Sequence, residues 1–210
     1  MGGFKNIKRV ALFGAAPDTP NMGVSALYMS IITGLSKYVD DLEFIVFDNN
    51  LGIREEIINI DTNKSIKIIN FGARGGLRYY RPENLLTMLV MSKLGKLGAK
   101  LNAGIKLIDS CDAILDVSGG DSFSDIYGLS RFNNINRPKQ IAINRNKPLV
   151  LLPQTYGPYK RFRVNKRAAK SVKGASIAWA RDEDSFNILK RLLGDNFTKK
   201  KHHSGVDMAF

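Results

Sequence analysis

Ala113-Ile114-Leu115-Asp116-Val117-Ser118-Gly119-Gly120-Asp121-Ser122-Phe123-Ser124-Asp125 is a short apolar run, two glycines, and then acids and hydroxyls. Residues 113–117 have the length and flanks of a parallel strand buried on both faces. Gly119-Gly120 lets the backbone turn sharply and admits a ligand close to the main chain. In an open α/β sheet the binding crevice lies at the carboxyl ends of the strands, which puts Asp121, Ser122 and Asp125 on its rim. Gly-Gly-Asp-Ser is also ordinary turn chemistry, so by itself the stretch leaves both a site and a plain turn open.

Outward from this stretch, strands and helices alternate. Residues 8–14 read as a first strand, followed by a loop carrying Pro17, Pro20 and Asn21, and by a helix over 23–38 in which Leu27, Ile31 and Leu35 recur every four residues. Residues 42–47 are a second strand, and 65–70 a third, entered through the turn Asp61-Thr62-Asn63-Lys64. Residues 71–82, with Arg74, Arg78, Tyr79, Tyr80 and Arg81, read as a loop over the crevice. Pro82 suits the first turn of a helix, and Gly95, Gly98 and Gly104 interrupt the apolar pattern after it, giving two helices or one bent one. Past the quoted stretch come a helical pattern over 130–144, a strand over 148–153, a basic helix over 161–173, a strand over 175–180 and a helix over 182–193. Residues 199–206 form a last strand. The alternation, with no repeat and no low-complexity segment, predicts an α/β fold: a doubly wound, mostly parallel sheet of about seven strands.

The chain has 210 residues, enough to bury a substantial core. Its 32 Lys and Arg against 19 Asp and Glu leave a formal net charge of +13, which favours anionic partners: phosphorylated metabolites, nucleic acid or an acidic membrane surface. Cys111 is the single cysteine, so neither an internal disulfide nor a thiolate metal cluster is available, and a reducing, cytoplasmic setting is expected. Residues 10–16 read as a strand rather than a signal peptide, and no segment approaches the ~20 apolar residues of a membrane span.

Three strand ends offer chemistry along one edge of such a sheet. Gly119-Gly120 would present backbone N–H groups; Gln154 and Thr155, in the loop Gln154-Thr155-Tyr156-Gly157-Pro158, present hydrogen-bonding side chains; Arg181 presents a cationic fork suited to phosphate or carboxylate. Arg181 can equally be an ion-pair partner of Asp121 or Asp182, and Asp182 to Ser185 has the acids and hydroxyl that any helix start favours. Asn21-Met22-Gly23 precedes a helix whose amino terminus can hold an anion. The first loop is neither a Walker motif nor a dinucleotide fingerprint, which disfavours a nicotinamide enzyme. Adjacent on a strand, His202 and His203 face opposite ways and make poor joint metal ligands, so a surface position or a single general acid is what they offer. Lys160, Arg163, Lys166, Arg167, Lys170 and Lys173 make a cationic helical stripe. It is a solvated face, or a contact for an acidic lipid headgroup or a phosphate-linked acceptor. No recognition motif accompanies it, so nucleic acid is not the expected partner.

Together, Asn21-Met22-Gly23-Val24-Ser25-Ala26-Leu27, the stretch from Ser118 to Asp125, Gln154-Thr155-Tyr156-Gly157-Pro158 and Ala180-Arg181-Asp182-Glu183-Asp184-Ser185 resemble, in order and spacing, the polysaccharide pyruvyl transferase family. The resemblance implies a two-lobed fold like that of GT-B glycosyltransferases. It implies transfer of pyruvate from phosphoenolpyruvate, as a ketal, to a sugar of a cell-surface glycan or its lipid-linked precursor, with phosphoenolpyruvate as co-substrate and no further cofactor. By the family's motifs Asp121 binds or activates the acceptor hydroxyl and Arg181 helps hold an anion, with Asn21, Gly23, Gly119, Gly120, Ser122, Asp125, Gln154, Thr155 and Tyr156 around the substrates.

Two departures stand out. Asp121 replaces a third glycine often found in the family's Gly-Gly motif. Residues 1–206 correspond to the amino-terminal, acceptor-side lobe and 207–210 to the start of a linker toward a second lobe, so weak or absent turnover is expected of the chain alone. Two rival readings are a GT-B-like glycosyltransferase using a nucleotide sugar, and a non-catalytic basic module for an anionic glycan or membrane surface.

Overall fold

The structure, a computed structural model, describes residues 7–17, 19–61 and 64–209. Its elements are β1 (Arg9–Phe13), α1 (Met22–Tyr38), β2 (Glu43–Asp48), β3 (Ile53–Asp61), β4 (Lys64–Gly72), α2 (Leu85–Met91), α3 (Gly95–Leu101), α4 (Ala103–Asp109), β5 (Ala113–Asp116), α5 (Gly128–Asn144), β6 (Leu149–Gln154), α6 (Phe162–Lys173), β7 (Ile177–Ala180), α7 (Glu183–Leu193) and β8 (His202–Ser204). The strands form one sheet in the order β3-β4-β2-β1-β5-β6-β7-β8. Every neighbouring pair is parallel except β3 and β4, an antiparallel hairpin.

Alternate side chains of each strand point to opposite faces. Ala11, Phe13, Ile45, Phe47, Ile114 and Leu149 face a core closed by α2, α4, α5, α6 and α7. Val10, Leu12, Phe44, Val46, Ala113 and Leu115 face a second core closed by α1. That two-sided burial is why residues 113–117 read as a continuous apolar run, and the fold is the expected doubly wound α/β sheet. The chain winds one way from β1 and the other way from β5, and these two strands are neighbours. A topological switch point therefore lies beside the quoted turn.

The eighth strand is β3. Ile53, Ile57 and Ile60 fall at helical spacing and Glu55-Glu56 favour helix, although β-branched isoleucine itself suits a strand. Pairing with β4 decides the matter: Glu55 meets Lys67 at 2.9 Å, Asn70 donates to Glu56 at 2.9 Å, and Arg54 pairs with Asp48 at the end of β2. The expected turn residues Thr62 and Asn63 lie outside the described residues.

The segment after Pro82 is three short helices rather than one or two. Asn84 and Asn102 each cap the helix that follows, accepting from Leu86 N–H at 2.8 Å and from Ile105 N–H at 3.0 Å, and the chain turns at Gly95 with φ +53°. Pro82 stays outside the helix, its carbonyl accepting from Asn102 Nδ2 at 3.1 Å. The last strand has shrunk to His202–Ser204. His202 is buried rather than at the surface: its Nδ1 accepts from Thr198 N–H at 2.9 Å and its ring stacks on Phe197. His203, on the opposite side of the strand, lies against Trp179.

Candidate active site

At the end of β5 the chain takes three successive left-handed residues, Ser118, Gly119 and Gly120, with φ of 54°, 65° and 84°. Glycine makes two of them inexpensive. The turn is pinned from below by β1: Gly119 N–H donates to Gly14 O at 2.8 Å. A Cβ on Gly14 would stand 2.5 Å from Ser118 N, so the two loops meet only because that side chain is missing. The N–H groups expected to be offered to a ligand are spent within the turn. Gly120 N–H donates to Val117 O at 2.8 Å and Ser118 N–H to Asp116 at 3.0 Å. The glycines supply a path and a close approach, not donors.

A fully buried ion pair sits beneath. Lys139, on the inner face of α5, donates to Asp116 Oδ1 and Ser118 Oγ, both at 2.8 Å, and to Ile135 O at 3.0 Å, with its ammonium over the Phe123 ring. Burial pushes the Lys139 pKa down, and the Asp116 carboxylate pulls it back up. Three hydrogen bonds satisfy the ammonium, which is what makes a charge tolerable there. The sequence signal for Lys139 was available: with Phe132, Ile135 and Ala142 it occupies the inward helical stripe, where an apolar residue belongs.

Two recesses flank the turn, both reaching Gly119 and Val24. One, of about 220 Å³, is formed by Asn21, Gly23, Gly119, Gly120, Asp121 and Arg181, with Asp207 at its edge. The other, of about 190 Å³, lies over the switch point, with Phe13, Asp116 and Ser118 in its wall and Arg74, Arg131 and Asn134 around it. Pro138 also lines it and, lacking an N–H, leaves the Asn134 carbonyl without its usual helical donor.

In the first recess Asp121 is exposed and accepts from Tyr127 O–H at 2.8 Å and from Ser122 O–H at 3.2 Å. The hydrogen bond and charge of Asp121 raise the Tyr127 pKa, which keeps that phenol protonated as a donor. Arg181 pairs neither with Asp121 nor chiefly with Asp182. Its Nη1 binds Asp207 at 2.6 Å, while Asp182 stands 3.6 Å from Nε. Gly120 makes room for it, since a Cβ there would lie 3.3 Å from Nη1. Asn21 caps α1, its Oδ1 accepting from Gly23 N–H at 3.0 Å, so that amide is also occupied.

The family model for polysaccharide pyruvyl transferase matches residues 21–210. The chain belongs to the polysaccharide pyruvyl transferase family. Comparison with curated proteins returns no match. The matched region takes in all four motifs on which the resemblance rests, and the family is one of transferases acting on polysaccharide.

Not every residue expected around the substrates of a pyruvyl transferase reaches a recess. Ser122 is buried at the boundary, its Oγ accepting from Arg131 at 3.1 Å. Asp125 is buried and turned toward α6, where it accepts from Lys160 N–H at 2.9 Å and Arg161 N–H at 3.0 Å. Gln154, Thr155 and Tyr156 lie behind the turn, tied to it by Thr155 N–H donating to Gly120 O at 2.7 Å. Gln154 and Tyr156 are fully buried, and burial raises the Tyr156 pKa far above that of an ordinary phenol. The Gln154 amide and the hydroxyls of Thr155, Tyr156 and Tyr159 have no hydrogen-bond partner among the described residues. Buried polar groups of this kind are satisfied by ordered water or by a ligand. Among the described residues no group of three or more His, Cys, Asp or Glu is arranged to hold a metal ion.

Proposed function

We propose that this member of the family serves the transfer of pyruvate from phosphoenolpyruvate to a sugar, and that the recess between the start of α1 and the Gly119-Gly120 turn is the acceptor side of that reaction. One observation carries the reading: Asn21, Gly23, Gly119, Gly120, Asp121 and Arg181, drawn from three separated motifs, open onto a single recess.

The chemistry requires a proton to reach the enol methylene of the donor, a sugar oxygen to bond to C2, the C2–O bond to phosphate to break, and a second sugar oxygen to close the ketal. Of the two protons lost by the hydroxyls, one balances that gained by the methylene and the other leaves on phosphate. Asp121 is the residue for the hydroxyl proton: an exposed carboxylate side chain on the recess, held by the Tyr127 hydroxyl at 2.8 Å. Arg181 draws the anionic donor. Asp207 holds its Nη1, while its Nη2 makes no hydrogen bond among the described residues. A donor carboxylate or phosphate would share or take over that fork. In this reading the chain supplies the acceptor-side wall, so ligand binding is a more direct readout than turnover.

Thermal shift separates this reading from its rivals. Phosphoenolpyruvate is expected to raise the melting temperature, and Arg181→Met to abolish the rise. A shift produced by nucleotide sugars and not by phosphoenolpyruvate would replace the reading with a glycosyltransferase. Response to polyanionic glycan alone would leave a binding module.

A further inference from the structure

Helix α3 turns an unusual face to solvent. Leu94, Leu97 and Leu101, spaced by three and four, lie on one stripe and are 44%, 55% and 62% exposed. Lys93, Lys96 and Lys100, with the same spacing, make an exposed stripe beside it. The inward side is used up: Gly98 packs so closely on Met91 that a Cβ would fall 1.9 Å from the Met91 carbonyl oxygen. Val90, at the end of α2, is 49% exposed.

Next to this helix lies the loop 77–82, which carries Arg78, Tyr79, Tyr80 and Arg81, both tyrosines 73% exposed. It is fastened to the helices rather than loose. Thr87 Oγ1 donates to Tyr79 O at 2.7 Å, Asn84 Nδ2 donates to Leu77 O, and Asn102, which ends α3, donates to Pro82 O at 3.1 Å. Between residues 74 and 108 the exposed charges are all cationic: Arg74, Arg78, Arg81, Lys93, Lys96, Lys100 and Lys106. The one carboxylate of that segment, Glu83, is buried and accepts from Gly52 N–H at 3.0 Å.

We propose that α3 and the loop 77–82 dock the protein on an anionic lipid bilayer, with the leucine stripe entering the acyl boundary, the tyrosines at headgroup level and the lysines and arginines on the lipid phosphates. Charge complementarity selects this occupant. A protein interface depletes lysine from its core, whereas these leucines have a lysine beside them at every turn, and lysine stems can bury their methylenes while the ammonium stays with the headgroups. A second copy of the chain would set one lysine stripe against another. The basic face of α6 is the weaker surface for a bilayer: its exposed cations surround a single large exposed apolar side chain, Phe162, which already lies under Lys166. Docking through α3 also places the second recess near lipid, since Arg74, Gly75 and Leu85 at its rim adjoin the loop. The proposal does not depend on the reaction assigned above.

Co-sedimentation of the full chain with vesicles tests it. Binding is expected to phosphatidylcholine vesicles containing roughly 30 mol % phosphatidylglycerol and not to phosphatidylcholine alone, with loss at high salt. Leu97→Ser/Leu101→Ser and Lys93→Gln/Lys96→Gln/Lys100→Gln should each weaken binding by about tenfold, while Lys166→Gln/Lys170→Gln/Lys173→Gln on α6 changes it by less than about threefold. A second measurement does not rely on loss of function. Cys111 is 1% exposed and its thiol is pushed up to about 12 by burial, so Leu97→Cys can be labelled selectively with an environment-sensitive fluorophore. Its emission should shift to the blue on anionic vesicles. Absence of vesicle binding, equal binding by the α3 variants, or a blue shift that follows protein concentration without lipid would overturn the proposal; the last would make the face a contact between copies.

Discussion

Lys139 is the residue on which the site turns, because it holds a charge on a fully buried side chain. Replacing it with methionine would leave Asp116 buried at the end of β5 with its counter-charge gone and Ser118 without a donor. Lys139→Met is expected to lose about 3–5 kcal/mol, read by urea denaturation, and Asp116→Asn in the same chain should recover a large part of it. If the single variant is as stable as the parent, the pair is not what braces the turn. The same scale shows where sequence reasoning fell short on Arg181. Its alternatives were an anion or the nearby acids Asp121 and Asp182, and its chief partner is Asp207, twenty-six residues on. Nothing local links those two positions; the strand order that carries β7 and β8 side by side does.

Helix α6 illustrates how an element can be finished by a residue from another part of the chain. Its N-cap, Arg161, makes no side-chain capping bond. Asp125 instead fixes the residues that lead into the helix: its carboxylate takes the amides of Lys160 and of the N-cap Arg161, which places a negative charge near the positive end of α6. Asp125→Ala should cost about 1–2 kcal/mol and speed amide exchange in the first turn of α6 ahead of the rest of that helix. Uniform exchange along α6 would show the carboxylate to be dispensable. The edge strand β8 carries a pH dependence. Burial lowers the His202 pKa, with Lys201 and His203 acting in the same direction, so between the lowered folded value and the unfolded value near 6.5 the unfolded chain binds more protons. Stability is full above about 6.5 and falls as the pH drops through that window. Melting temperatures measured from neutral to mildly acidic pH should decline, and His202→Gln should flatten the part that belongs to this residue. β3 belongs to this scale too: its isoleucines suit a strand while Glu55-Glu56 suit a helix, and pairing with the neighbouring strand β4 makes it a hairpin.

For the whole molecule, the sheet order sets a gradient of protection. β1 and β5 are central, with the α1 core on one face and the five-helix core on the other, whereas β3 and β8 each have one neighbour. Amide hydrogen exchange is expected to be slowest in β1, β2 and β5 and fastest in β8 and the outer edge of β3. Comparable protection in β8 would mean that this edge is covered in solution. The switch point between β1 and β5 is also where the two recesses meet, so the central strands position the candidate site while its exposed groups, Asp121 and Tyr127, project from the loop above them.

The parallel core strands, the helix that follows the first of them, the Gly119-Gly120 bend and the family motifs were legible in the sequence. Each rests on short-range information: an apolar run for a strand buried on both faces, a period of four for α1, and two glycines where φ must be positive. What those residues do once folded was decided by contacts across the chain. The turn's amides look like ligand donors until β1 is placed beneath them and Gly14 accepts one. Gln154 reads as a binding side chain, yet the sheet buries it behind the turn, and Asp125 reads as a rim residue, yet it is drawn under α6. Burial and hydrogen-bond partnership are properties of the assembled layers, so only the tertiary structure could assign them.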